Sequence, residues 1–432
     1  MTSRRLRWEQ ADNAIAVALA ARRDAGLPIL DLAESNPTRV GLPLDERSIL
    51  AALADPRALR YEPSPLGLLT AREAVARYCA ESRGVLIDPG RILLTASTSE
   101  AYALIFKLLC DPGDCVLVPE PSYPLFGYLT ALEGVATAAY PLAYDGEWHL
   151  DLPALAAQLS AHPRARAVLV VSPGNPTGAF LKEPERERLV ALCALHGCAL
   201  VSDEVFADFA ATDDAWRVST IAARPRAAAS AVATPGAATA TPGAATATPR
   251  ATTSAAAGVA PLAPAQEDVL AFSLSGLSKV CGLPQLKLAW CVVSGPRAQA
   301  DQAMARLELI ADTYLSVATP VQVAAGTLLE TRHGFQRALR ARLARNRAAL
   351  TAARSPGATW DLFTSEGGWS SILSVPRRRG EEEWALALLA QGLLVQPGYF
   401  FDLPGSHLVV SLLLEEAAFA DGAARLSAGL DG

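Results

Sequence analysis

Ser275-Gly276-Leu277-Ser278-Lys279 closes an apolar run, Val269 to Ser273, and ends on one of only four lysines among the 38 basic residues of this 432-residue chain. The remaining basic side chains are arginines. A lysine kept against that bias marks a place where a guanidinium will not serve. An amine can shed its proton and attack a carbonyl, whereas a guanidinium stays charged. The stretch therefore reads as a strand that delivers a reactive amine at its end, with Schiff-base chemistry as the first expectation.

Working outward, two further polar segments end apolar runs in the same way. Ser172-Pro173-Gly174-Asn175-Pro176-Thr177-Gly178 follows Val168 to Val171, and Ser202-Asp203-Glu204-Val205-Phe206-Ala207-Asp208 follows Ala199 to Val201. Similar runs at Ile92 to Leu94, Val116 to Val118 and Leu288 to Val293 alternate with alanine-rich helical stretches. That alternation predicts an α/β domain with a largely parallel sheet. The polar motifs stand just past the ends of the runs, where open α/β sheets bind their ligands.

From Pro296 to about residue 355 the pattern is helical, and shorter strands are expected at Ser370 to Val375, Leu393 to Gln396 and His407 to Leu414. These predict a smaller α+β domain. The expected division is 41–299 for the large domain, with 1–40 and 300–432 forming the small one. Residues 222–266 differ in kind, because Ala-Thr-Pro-Gly-Ala-Ala-Thr occurs at 233–239 and again at 240–246. With scarcely a large apolar side chain, this insertion cannot offset the entropy of ordering and is predicted to be a disordered surface loop.

A hydrophobic content of 51% supports a large core, and a net charge of −6 gives no electrostatic footprint for nucleic acid. The arginines of 337–347 read as the solvated face of a helix. Seven cysteines without a CxxC pair suit a reducing compartment, and Cys193, His196 and Cys198 lack the four-point spacing of a zinc site, so no metal is expected. No run approaches the roughly 18 apolar residues of a membrane span. Arg4, Arg5 and Arg7 are followed by Glu9 and Asp12 instead of a leader core, so a cytoplasmic location is expected.

The order Asn175, then Asp203, then Lys279, each inside its motif, resembles the class I/II aminotransferases, the fold-type-I family that uses pyridoxal 5'-phosphate. The likeness covers about residues 30 to 415, apart from the insertion. It implies a large cofactor-binding domain, with a mostly parallel sheet between helices, and a smaller α+β domain. Each task at such a cofactor selects a side-chain type. The resemblance makes Lys279 the Schiff-base amine, places Gly276 among the cofactor-binding residues, and makes Asp203 the partner of the pyridinium nitrogen. Asn175 donates to the phenolic oxygen beside bound substrate, and Tyr123, in Pro121-Ser122-Tyr123-Pro124, stacks on the ring. Ser97, Thr98 and Ser99 follow a strand and open a helix, so their hydroxyls and amides form an anion site for the phosphate. Tyr61 matches a tyrosine that reaches the neighbouring subunit's phosphate, which implies a homodimer.

Three positions depart from the family. Lys287 replaces an arginine on the phosphate, and Phe206 replaces a tyrosine that donates to the phenolic oxygen. Val409 stands where an arginine usually forks onto the substrate carboxylate, two residues before Ser411. Arg39, in Glu34-Ser35-Asn36-Pro37-Thr38-Arg39, is the nearest replacement, or else an exposed arginine. The expected activity is amino transfer between an amino acid, with a preference for neutral or apolar ones, and a 2-oxo acid. A fold-type-I lyase or decarboxylase is the enzymatic alternative. A catalytically degenerate cofactor-binding protein is the non-enzyme one.

Overall fold

The structure, a computed structural model, describes Ser3, Arg5, residues 13–222 and residues 269–432. The insertion read at 222–266 lies, apart from Ala222, outside the described residues.

The larger of the sheets has eight strands. In spatial order they are Ile92–Thr95, Ala289–Ser294, Ala271–Gly276, Ala199–Asp203, Ala165–Val171, Cys115–Glu120, Ala136–Tyr144 and Trp148–Leu150. The five strands from Ala271–Gly276 to Ala136–Tyr144 pair in parallel. Ala289–Ser294 runs antiparallel to both of its neighbours. Helices Leu125–Glu133, Leu152–Ala161 and Glu183–His196 lie in the chain between successive parallel strands, as a crossover requires. Ala136–Tyr144 and Trp148–Leu150 are not expected from the sequence. Alanine, threonine and proline dilute the first, and the second is three residues long.

Alternation along each strand divides the core. Leu93, Val116, Leu169, Val201, Phe272 and Val293 face helices Thr98–Leu109 and Arg297–Asp312. Their neighbours in the chain face the opposite side, where Leu94, Trp290 and Val292 meet helices Leu69–Arg83 and Thr319–Glu330. Leu117, Val168 and Leu200 meet Leu152–Ala161 and Glu183–His196 on that side. A sheet covered on both faces reads as continuous apolar runs, which is why its inner strands are legible.

A four-stranded antiparallel sheet has the order Asp361–Leu362, Ser370–Ser374, His407–Ser411, Gln396–Pro397. Beside it Leu30–Asp31 pairs in parallel with Leu393–Leu394. Helix Arg332–Ala353 packs on Glu416–Asp431, and Ala14–Asp24 packs on Glu381–Ala390. Ile15, Leu32, Phe335, Trp384 and Phe419 share the resulting core. All seven cysteines are free thiols, and Cys193 and Cys198 are buried as apolar residues. Among the described residues no helix is long and apolar enough to cross a membrane.

Candidate active site

One edge of the large sheet collects the polar motifs. Thr95, Glu120, Val171, Asp203 and Gly276 are the last residues of their strands. The antiparallel strand enters at this edge, with Ala289 in register with both Thr95 and Gly276. Lys287, two residues earlier, thus arrives beside residues from the ends of the parallel strands. A cavity of about 830 Å³ opens here, and Ser97, Thr98, Ser99, Tyr123, Asn175, Asp203, Phe206, Gly276, Lys279 and Lys287 all line it. Its size lies within the usual span of small-molecule sites.

Lys279 sits in the single helical turn Leu277–Val280 that follows the strand. Gly276 permits the approach: a Cβ there would lie 2.9 Å from the Ala289 Cβ and 3.1 Å from the Leu288 carbonyl oxygen. The ammonium has no hydrogen-bond partner among the described residues. It lies 4.8 Å from the Trp369 ring centroid and 5.3 Å from that of Phe206. Burial lowers its pKa to about 8, opposed by the charge of Asp203.

Asp203 ends the adjacent strand, which pairs in parallel with Ala271–Gly276. Its Oδ1 accepts from the Val205 amide at 3.1 Å, and its Oδ2 accepts from the Tyr102 hydroxyl at 3.2 Å. Burial still pushes its carboxyl up to about 6, against those hydrogen bonds and Lys279. An amine made less basic and a carboxylate made less acidic share one wall. Such a pair favours a ligand that brings an electrophilic carbon to the amine and a cation to the carboxylate.

Ser97 caps helix Thr98–Leu109, its Oγ accepting from the Glu100 amide at 3.1 Å, while Glu100 Oε2 accepts from the Ala96 amide at 2.6 Å. The Ser97 Oγ thus accepts at the cap and keeps its own O–H free to donate into the cavity. Thr98 and Ser99 present the first amides and hydroxyls of the helix to the cavity, where the positive end of the dipole favours an anion. Lys287, in the left-handed region at φ 52°, adds a cation to that end. Phe206 packs edge-on against Trp369, with centroids 5.1 Å apart, and offers no donor.

Two expected residues stand off this wall. The Arg39 side chain is 73% exposed and lies 3.9 Å from Glu34, although Ala33 and Ser35 on its segment line the cavity. Tyr61, 78% exposed, lines a separate cleft with Tyr314 and Gln322. Val409 is fully buried among Trp148, Ile372, Phe401 and Leu403. Sequence reasoning missed Tyr102, Trp369, Gln396 and Tyr399. Tyr102 had a signal, since it lies four residues past Thr98 on the same helix face. The others come from the small antiparallel sheet and its flanks, and no local motif marks them.

A family profile described as aminotransferase class I and II matches residues 28–417. The glutamate-pyruvate aminotransferase AlaA of Escherichia coli is 26% identical over 308 residues, covering 71% of this chain and 64% of that protein. The alanine aminotransferase of Mycobacterium tuberculosis is 28% identical over 308 residues, covering 70% of this chain and 61% of that one. The chain thus spans slightly less than two thirds of the length of these curated relatives. An alanine aminotransferase structure from Pyrococcus furiosus superimposes with a TM-score of 0.77 at 20% identity, over 99% of both chains. The fold is the same.

Proposed function

We propose that this chain, which belongs to the class I and II aminotransferase family, moves an amino group between an amino acid and a 2-oxo acid with pyridoxal 5'-phosphate as cofactor. The observation that carries this reading is that Lys279 and Asp203 line one cavity with Thr98, Ser99 and Lys287, burial making the amine less basic and the carboxyl less acidic. The relatives' names, alanine and glutamate-pyruvate aminotransferase, support amino and oxo acids as the substrate class.

The donor set fits the cofactor. Ser97, Thr98, Ser99 and Lys287 would hold its phosphate, Asp203 would meet its ring nitrogen, Tyr123 would cover the ring and Asn175 would donate to the phenolic oxygen. When bound, the cofactor supplies an electron sink for the carbon that bears the amine and keeps the amino group between half-reactions. Asp203, aimed by Tyr102 and Val205, keeps a proton on the ring nitrogen because a facing carboxylate favours the cation. Lys279 Nζ would hold the cofactor aldehyde and, once released, would accept and return a proton as general base and acid. Its lowered pKa gives a sizeable neutral fraction near physiological pH, which a general base requires. With Phe206 in place of a hydroxyl donor, Asn175 would serve the phenolic oxygen. Trp369 and Phe206 enclose the amine and exclude water from it.

Tyr61, highly exposed beside exposed Leu59, supports a homodimer in which it reaches the neighbouring subunit's phosphate. Free cysteines support a cytoplasmic location. The aromatic wall favours neutral or apolar amino donors. Incubation of the full chain with cofactor, a panel of amino acids and a 2-oxo acid, read by mass spectrometry, tests the reading. The expected product is the aminated acceptor. Carbon dioxide or ammonia without an aminated acceptor overturns it in favour of a decarboxylase or lyase.

A further inference from the structure

Resting on that amino-transfer reading, we infer that Gln396 receives the substrate carboxylate and that this site reads the group with an uncharged amide. Strand His407–Ser411 divides its side chains between two faces. Leu408 and Val410 turn into the core with Trp384 and Phe419, so His407, Val409 and Ser411 occupy the other face. Ser411 and its cross-strand partner Ser370 line the cavity. The next row across the sheet is Ile372, Val409 and Gln396, since Val409 is in register with both of the others.

Residues opposite one another on paired strands share a face. Two members of that row are closed off: Val409 and Ile372 are packed under Phe401, Leu403 and Trp148. Gln396 is the third, and it lines the cavity. Its amide has no hydrogen-bond partner among the described residues. The only basic side chains lining the cavity among the described residues are Lys279 and Lys287. The amino-transfer reading assigns both to the cofactor, one to the aldehyde and one to the phosphate. A carboxylate taken from water needs compensating donors. Gln396 Nε2 supplies two N–H groups next to the two serine hydroxyls on the same face.

An amide rewards the shape and acceptor pattern of the ligand head more than its charge. A guanidinium fork does the reverse, because its two parallel bonds are charge-assisted. The site therefore treats a carboxylate and an isosteric carboxamide as near equals.

The test is equilibrium titration of the cofactor-loaded full chain with 3-phenylpropanoate and 3-phenylpropanamide, which carry no amine to react. Their dissociation constants are expected within about tenfold of each other, the scale of one hydrogen bond. Gln396→Leu should weaken both by roughly tenfold. Gln396→Glu, nearly isosteric, should weaken the carboxylate on the order of 100-fold and the amide far less, through like-charge repulsion. Cofactor affinity should be unchanged in both variants. A carboxylate preference above about 100-fold in the wild type, abolished by Arg39→Ala, would overturn the proposal in favour of an arginine fork. Unchanged constants in Gln396→Glu overturn it as well, whether or not Gln396→Leu folds. Borohydride mapping separates the two levels. Label on Lys279 with Gln396-independent binding sinks only the carboxylate assignment, whereas no label on Lys279 sinks the amino-transfer reading beneath it.

Discussion

The Tyr102 hydroxyl donates to Asp203 Oδ2 at 3.2 Å, across 101 residues of chain. Tyr102 is buried, edge-on to Phe126 with centroids 5.3 Å apart, so the donor is fixed in place. The bond opposes the burial that pushes the Asp203 carboxyl up. Tyr102→Phe should therefore raise that carboxyl further and weaken its hold on a pyridinium. Cofactor affinity is expected to fall by about 1.5 to 3 kcal/mol, the value of one hydrogen bond to a charged group. Titration with cofactor beside a thermal melt checks this, and unchanged affinity would show that the bond only packs.

Asp203 should also make the cofactor-free chain less stable than it need be. Burial pushes its folded pKa from the ordinary 3.8 to about 6, so ionisation is penalised in the fold. That penalty is present above pH 6 and is relieved as pH falls from 6 toward 3.8. Asp203→Asn removes it, and the variant without cofactor should be more stable at pH 7 by about 1 to 2 kcal/mol, the shift discounted for residual solvation. The gain should vanish near pH 4. Denaturant unfolding at the two pH values measures it, and a destabilised variant at pH 7 would contradict the sign. The same variant should lose turnover, since an amide cannot sustain the cation on the ring nitrogen.

Lys279 predicts a pH profile of its own. Only the neutral amine attacks an aldehyde, and burial brings its pKa from 10.5 to about 8. Labelling of Lys279 by pyridoxal phosphate and borohydride should thus rise about tenfold per pH unit below 8 and level off above it. Lys279→Ala should fold and carry no label at this peptide. A profile that keeps climbing to pH 10, or label on Lys107, Lys182 or Lys287 instead, would refute the assignment.

The parts of the fold that could be read in advance are those whose cause is local. Val168 to Val171 and Ala199 to Val201 are apolar on both faces because helices cover both, and each ends in a polar motif whose role depends on type and order. Asn175, Asp203 and Lys279 therefore reach one cavity as the motifs imply. What stayed hidden depends on register and packing. Gln396 sits in a two-residue strand, and only its pairing with Val409 shows which face it takes. Trp369 faces Lys279 because its segment is clamped to the Asn175 loop, a contact between residues almost two hundred positions apart. Arg39 misses the wall because the Asn36 side chain caps the short turn Pro37–Arg39, which leaves the guanidinium in solvent near Glu34.

That clamp supplies the last prediction. Lys182 bridges Asp214 and Glu366, and Glu366 Oε2 accepts from the Phe180 amide at 3.0 Å. The Gly368 amide donates to the Phe209 carbonyl at 3.0 Å, which ties the Trp369 segment to the chain beyond Asp203. Gly178 stands at the centre of this seam at φ +69°, and a methyl there would overlap Ser365 Oγ and the Gly367 carbonyl. The left-handed backbone costs a non-glycine residue about 1 kcal/mol, and backbone atoms on the far side cannot yield as a side-chain tip does. Gly178→Ala should therefore cost roughly 2 to 4 kcal/mol of stability, within the range of a core overpacking mutation at a strained site. Its second effect is the informative one. Displacing the Ser365–Gly368 segment should move Trp369 from Lys279 and Asn175 from its place in the cavity lining together, so cofactor affinity should fall beyond the loss in stability. Lys182→Met, which loosens the same seam without a clash, should reproduce a weaker version of both. A Gly178→Ala variant with wild-type melting and cofactor binding would show that the seam is soft.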